Sequence, residues 1–454
     1  MKKKLCSQVL GSLALVLLWT QAAQAQFTLN GQLRTRTELR DGQGTLSPKG
    51  AEPAFFTSQR TRLNLGYSGY RFKVFTAIQD VRVWGQDAST IHRQTLEAND
   101  GLMLHEAWAE VMLLDTSATL ENLSLKIGRQ ELVYDDSRLL GNLDWLQQGR
   151  RHDLALLKLE HKGWLAHLGA GFNQNQERKT ATLYNGIPSG YAAGTNGIGS
   201  LYKSMQFLYG GRKFKTGNAS ILFLKDDFNR YQLENGSRVL SPGTWSRLTG
   251  GAYLSAAPFK NVGFTASAYR QGGKDRDGRK LAAYLLSAAA QYTATPLLSI
   301  GPGIDFTSGN SPGSTDGVNR QFDPLYGTPH KFWGNMDYFY VADGFGSSGL
   351  IDYYLKSRYK VKDYLSISLD GHRFVAAKPV LTGDGVKMDR SFGTELDLVA
   401  NYTLTRIVSL EAGYSAFFAT TTLASSSVKN VANADRQANW AYLMINIKPD
   451  FLNK

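Results

Sequence analysis

Between Gly128 and Asp153 the chain concentrates residues that could act on a charged solute. Gly128-Arg129-Gln130-Glu131 is followed by Asp135, Asp136 and Arg138, then by Asp144, Trp145, Gln148, Arg150, Arg151 and Asp153. Arginine stays charged throughout the physiological range and offers five directed donors to carboxylates. Two readings stand: a selectivity ladder for an acidic solute, or internal ion pairs that brace a wall. Glu106/Glu110 and Asp135/Asp136 have the composition of an acid–base pair, but sequence supplies no evidence of the separation hydrolysis needs, so no enzyme is expected. His152, His161 and His167 lack the spacing of a His-Glu-x-x-His site, so neither metal nor cofactor is expected.

The elements that must position these groups show a period of two. In residues 27–40, Phe27, Leu29, Leu33, Thr35, Thr37 and Leu39 alternate with Asn30, Gln32, Arg34, Arg36, Glu38 and Arg40. Such alternation belongs to a strand with two unlike faces. It recurs where Ala107, Ala109 and Val111 alternate with Glu106, Trp108 and Glu110, and where Val408, Leu410 and Ala412 alternate with Ser409 and Glu411. Lipid accepts the first set and water the second, whereas a soluble core would have to bury Glu106, Glu110 and Glu411. The pattern predicts an all-β fold, a transmembrane antiparallel β-barrel of about 18 strands with a water-filled lumen. The strands are expected near 27–40, 56–67, 70–84, 102–115, 121–130, 151–161, 163–173, 202–211, 217–226, 245–257, 260–270, 280–293, 296–306, 351–361, 363–375, 391–404, 406–419 and 438–448. Long connections, including 131–150, 227–244 and 307–350, are expected outside the cell, and short turns in the periplasm. The 307–350 segment is long enough to fold into the lumen, and Lys331 to Tyr340 could instead add a strand.

The first 25 residues read as a secretory signal. Lys2–Lys4 precede an apolar core, and Ala23-Gln24-Ala25 fits a small-x-small cleavage site, leaving a barrel of residues 26–454. The only cysteine, Cys6, leaves with the signal, which excludes disulfides and thiol chemistry from the mature chain. The formal charge of +13 falls to +10 without the three signal lysines. Basic residues are spread over many strands without a nucleic-acid motif, so no nucleic-acid partner is expected; an electropositive interior favouring anions is. No Walker motif couples transport to nucleotide hydrolysis, so passage should be passive.

Several short motifs resemble the alginate-export family of outer-membrane proteins. They are Gly31-Gln32-Leu33-Arg34-Thr35-Arg36, Gln59-Arg60-Thr61-Arg62, Gln79-Asp80-Val81-Arg82-Val83-Trp84-Gly85, His105-Glu106-Ala107-Trp108, Gly128-Arg129-Gln130-Glu131, the 144–153 stretch, and Phe322-Asp323-Pro324-Leu325-Tyr326-Gly327 with His330-Lys331-Phe332. The resemblance implies an 18-stranded barrel whose arginine-rich constriction passes an acidic polysaccharide outward. Carried over, the lumen positions are Arg34, Arg36, Arg60, Arg62, Arg129, Arg138 and Arg150, with Glu106, Glu131, Asp136 and Asp153 as companions; Lys331 joins them from the late loop. The expected partners are outer-membrane lipid, an acidic or polar solute, and periplasmic or outer-membrane assembly proteins. A general anion-preferring diffusion porin, and a non-conducting barrel within a larger assembly, are the alternatives.

Overall fold

The computed structural model describes residues 26–85, 102–114, 122–174, 179–180, 202–339 and 346–452, so the expected signal lies outside the described residues. Eighteen strands form one antiparallel sheet that closes on itself. They are β1 (Gln26–Asp41), β2 (Ala54–Gly69), β3 (Phe72–Val83), β4 (Met103–Met112), β5 (Asn122–Gln130), β6 (His152–His161), β7 (Trp164–Phe172), β8 (Ser204–Phe214), β9 (Gly217–Glu234), β10 (Ser237–Phe259), β11 (Val262–Gly273), β12 (Ala283–Thr295), β13 (Leu298–Thr307), β14 (Leu350–Lys362), β15 (Leu365–Ala376), β16 (Ser391–Thr403), β17 (Val408–Ala419) and β18 (Gln437–Ile447).

Each strand pairs with its successor, and β18 returns to β1, from Leu33 opposite Ile447 to Asp41 opposite Asn439. Closure removes the sheet edge, whose unpaired backbone groups hydrocarbon cannot satisfy. The chain beyond β18 lengthens the seam: the Gly31 N–H donates to the Pro449 carbonyl (3.0 Å) and the Phe451 N–H to that of Leu29 (2.9 Å).

Tight turns at 70–71, 162–163, 215–216, 260–261, 296–297 and 363–364 gather at one end of the barrel, and the long connections at the other. One expected long connection, 227–244, is instead strand. β9 and β10 continue pairing to Glu234 opposite Ser237, around a turn at Asn235 (φ 51°) and Gly236 (φ 78°). An Asn-Gly pair is the standard sequence for a two-residue turn with both φ positive, because its twist matches that of the strands.

The third strand carries charge on both faces: Arg71 and Lys73 share a parity with Phe75 and Val81, and Asp80 and Arg82 fall on the other. β2 and β3 pair without a register shift, whereas β3 and β4 slip by one residue where Ala77 faces Glu106 and Ile78 faces Leu104. The extra residue is His105, and this β-bulge turns both His105 and Glu106 inward. Asp80 and Arg82, on the other parity, neutralise one another at 2.7 Å near the long-connection end.

The lumen is not the open aqueous channel expected. The connection 131–151 and residues 308–339 fold into it and join there: Leu140 bridges Tyr326, the Gly141 N–H donates to the Tyr326 carbonyl (2.9 Å), and the Thr328 N–H donates to that of Ser137 (2.8 Å). Leu139, Leu140, Trp333, Met336, Tyr338 and Phe339 are buried and pack against Phe374, Phe392 and Phe417 of the wall. The Phe339 ring lies 4.5 Å from Phe374, and Tyr338 lies 4.3 Å from Phe417. Residues 331–339 are therefore a plugging segment and not a strand; Gly334 (φ 81°) and Asp337 (φ 58°) break any extended run. Their apolar side chains bury against inward aromatics instead of lipid, which drives the loops into the barrel.

Candidate pore constriction

Adjacent strands place the first arginines in one bank. Arg34 stands opposite Arg60, and Gln32 opposite Arg62, on the inward faces of β1 and β2. With Arg36 on the same face of β1, four guanidinium groups lie close together and repel one another unless counter-charges and acceptors reach them. The 131–151 connection supplies these. Asp144 lies 2.8 Å from Arg60 and 3.4 Å from Arg34. Arg34 Nε donates to Gln147 (2.9 Å), Arg36 donates to the Trp145 carbonyl (2.8 Å), and the Arg36 guanidinium lies 4.3 Å from the Trp145 ring centre. Arg62 donates to Gln79 (2.6 Å) and sits 3.8 Å from Glu131. Arg34, Arg36 and Arg60 are buried. They hold the plug in place, so the bracing reading describes them better than a row of free pore charges.

Burial opposes the charge on Asp144, but Arg60 and Arg34 outweigh it and keep the carboxyl below its ordinary range. A depressed carboxylate pKa favours the attached loop above the free value of about 3.9, and that contribution is lost as pH falls through the lower, loop-bound value. Conductance in planar bilayers should therefore stay level from pH 7 to about 4 and rise only in stronger acid. Asp144→Asn should abolish that rise by loosening the loop already at neutral pH. A step near pH 6, where histidine titrates, would place control elsewhere.

The remaining expected residues divide. Glu131 meets His105 Nε2 at 2.7 Å and accepts from Asn142 (2.8 Å); Glu106 accepts from the Glu131 N–H (3.1 Å) and from Trp108 (3.1 Å). His105, Glu106 and Glu131 offer ligand atoms within 4.8 Å of one another. Their carboxylates are already occupied by these donors and by nearby Arg62, which favours a hydrogen-bonded cluster over a cation site. Arg138 is buried between Asp305 (2.5 Å) and Asp136 (3.2 Å), with Phe332 stacked at 4.0 Å. Arg150, also buried, donates to the Gly327 carbonyl and so ties the two inward connections together. Lys331 donates to the Asp136 carbonyl (2.9 Å), and burial lowers its ammonium pKa against the pull of Asp136.

Arg129 and Asp153 correct the sequence reading. They pair with each other at 2.8 Å, on the outward parity of Ile127 and Leu157, and do not face the lumen. Gln130, the neighbour of Arg129, is the buried inward residue. A motif read as a cluster ignores that neighbours on a strand face opposite ways.

Sequence reasoning missed the basic face of β14. Lys356, Arg358 and Lys360 occupy successive inward positions, alternating with outward Leu355, Ser357 and Tyr359; Lys362 follows a register shift at the short-turn end and lines the same cavity as Arg358 and Lys360. On β13 Lys356 and Arg358 face Gly301 and Ser299, and on β15 Arg358 and Lys360 face Ser368 and Ser366, so small residues leave space beside them. Lys356 approaches Asp370 at 3.7 Å, Lys360 meets Asp363 at 2.7 Å, and Arg358 donates to Ser366 (3.3 Å).

The ladder rises from a cavity of about 390 Å³ at the short-turn end, lined by Arg358, Lys360 and Lys362. Gln291, Ser299 and Arg358 also line a second cavity of about 660 Å³ beneath the plug. There Lys356, Lys331 and Arg138 meet Asp135, Asp136 and Asp370, with Tyr253, Phe332 and Tyr354 among them. Asp135 accepts from Tyr209 (2.9 Å) and Ser220 (2.7 Å), while burial raises its carboxyl pKa.

The sequence model of the alginate export family matches residues 25–182, the part that contains the first arginine bank but not the β14 ladder. No curated protein matches the chain. Many solved structures share the fold. OccAB4 of Acinetobacter baumannii is 12% identical, with 94% of this chain and 98% of that one covered and a TM-score of 0.61. OccK3 (OpdO) of Pseudomonas aeruginosa is 11% identical over 94% and 96%, with a TM-score of 0.59. The outer membrane protein opdK of the same organism is 10% identical over 94% and 99%, with a TM-score of 0.56. At these identities the likeness is one of fold. The chain is a closed, eighteen-stranded transmembrane β-barrel that shares its fold with these proteins.

Proposed function

We propose that the protein is an anion-preferring diffusion channel for small acidic or polar solutes. The observation that carries this reading is the β14 ladder, which runs from the short-turn mouth to the cavity beneath the plug. In outer-membrane barrels short turns lie on the periplasmic side, so the ladder forms the inner vestibule and the plug the outer barrier. A row of cations on a water-bearing wall raises the local anion concentration and offers successive sites, each weak enough to leave. Direction comes from the solute gradient, because passage through a barrel carries no engine of its own.

Export of an anionic polysaccharide is the second reading, favoured by the family match over residues 25–182. The plug argues for small solutes, since a threaded chain needs the two inward connections to part. Reconstituted protein should show an anion-selective reversal potential in a salt gradient; cation preference would reject the proposal. Liposome flux separates the two readings. Small organic anions should pass and acidic oligosaccharides should slow steeply with length, whereas equal passage of long and short chains would favour export.

A further inference from the structure

The outer wall carries a groove lined by two cations, Arg270 and Lys225, of which Lys225 is neutralised by Asp227. Strand register aligns Leu168, Leu208, Phe223, Gly250, Arg270 and Tyr284 in one row from β7 to β12. The row faces outward, since the strand neighbours Phe207, Leu222, Thr249 and Tyr269 are buried inside. Gly250 contributes no side chain, and Leu248 stands above it, so the row encloses a largely apolar groove of about 630 Å³ open to the membrane.

Arg270 is set apart from the other outward cations. Lys225 pairs with Asp227 (2.6 Å), Arg129 with Asp153 (2.8 Å) and Arg82 with Asp80 (2.7 Å), while Arg212 stacks 4.4 Å from Trp164. Among the described residues Arg270 has neither an ion-pair nor a hydrogen-bond partner, and it is exposed. Below it on β11 the outward residues are Phe264, Ala266 and Ala268, and the strand ends at Gly273. Arg270 is thus the first charge above an apolar wall, at the long-connection end. Exposed Tyr284 lies directly opposite, the residue type that marks a headgroup boundary. A lone guanidinium is tolerated at that depth and is costly at the midplane.

We propose that this groove docks a phosphate-bearing glycolipid of the outer leaflet. An acyl chain lies along Leu168, Leu208, Phe223 and Leu248, and Arg270 takes the headgroup phosphate. Guanidinium binds phosphate through two parallel N–H···O bonds, and the groove supplies the apolar area that a free phosphate cannot use. This site is independent of the lumen, so its loss leaves conduction unchanged.

The test is native mass spectrometry of the detergent-solubilised barrel titrated with bisphosphorylated lipid A and with its dephosphorylated form. Wild type should prefer the phosphorylated lipid, and Arg270→Gln should weaken that binding about tenfold while leaving the dephosphorylated form unaffected, the scale of one lost charge-assisted contact. Arg270→Lys should retain most of the preference, and Gly250→Leu, which fills the groove, should weaken both lipids. Heat-modifiable gel migration confirms that each variant is folded. Equal binding of the two lipids by wild type, or unchanged affinity in folded Arg270→Gln, overturns the site.

Discussion

Replacing Arg138 with leucine should release the inward connections and turn a restricted channel into a wider, noisier one. Arg138 links three parts of the molecule: Asp305 on β13, Asp136 on its own loop, and the Phe332 ring of the second inward connection. Asp305 is only 2% exposed and otherwise accepts a bond from Ser287 (2.6 Å). Removing one member of a buried pair leaves the other as an uncompensated charge, a cost of about 3–5 kcal/mol, or about two to four decades in the ratio of closed to open loops. The strand ladders do not depend on this contact, so the barrel should remain closed while its plug loosens. Single-channel recording should show larger and more variable conductance, with protease cutting newly within 131–150 and 308–339. Arg138→Lys should fall between, since ammonium lacks the planar fork that meets two carboxylates. Adding Asp305→Asn to Arg138→Leu should recover part of the closure by removing the stranded charge. Wild-type conductance and protease resistance in a folded Arg138→Leu barrel would show that the Arg34–Arg60 bank, Arg150 and the packing around Phe339 hold the plug without it.

The wall was more legible in the sequence than its contents, and the reason is physical. Lipid on one side and water on the other impose a period of two on every strand, and Phe264, Ala266 and Ala268 show it without knowledge of their neighbours. Long-range partners leave no such local mark. Nothing near Arg34 in the chain announces that Asp144 and Gln147 will reach it, because the loop that brings them is set by packing deep in the barrel. Arg129 differs: its motif suggested the lumen, but strand parity, a local signal, turns it outward beside Ile127. The β14 ladder is the opposite case. Lys356, Arg358, Lys360 and Lys362 alternate perfectly with Leu355, Ser357, Tyr359 and Val361, so the signal was present in the chain. The motifs that resemble the alginate-export family lie mostly in the first third of the chain, away from this strand.

Neutralising that ladder should have the second large effect, and on selectivity instead of pore size. Successive inward positions on a strand are about 7 Å apart, so an anion beside one cation remains within reach of the next. One unit charge at that distance attracts a monovalent anion by about 0.6 kcal/mol at the permittivity of water and about 2.4 kcal/mol at an effective value of 20, which brackets a narrow wet vestibule. Asp370 and Asp363 offset part of this at Lys356 and Lys360, leaving Arg358 and Lys362 as the stronger contributors. Glutamine at all four positions should bring the anion-to-cation permeability ratio close to one, and the double variant Arg358→Gln/Lys362→Gln should account for most of the change. Preference should weaken in wild type as ionic strength rises, since the screening length falls from about 30 Å at 0.01 M to about 10 Å at 0.1 M. Arg129→Gln is the internal control: it removes the same formal charge from the outward face and should leave the reversal potential where it was. Matching shifts from Arg129→Gln and Arg358→Gln would mean that selectivity follows the charge of the whole barrel, while an unshifted quadruple variant would move the selective element up to Lys331 and Arg138 under the plug.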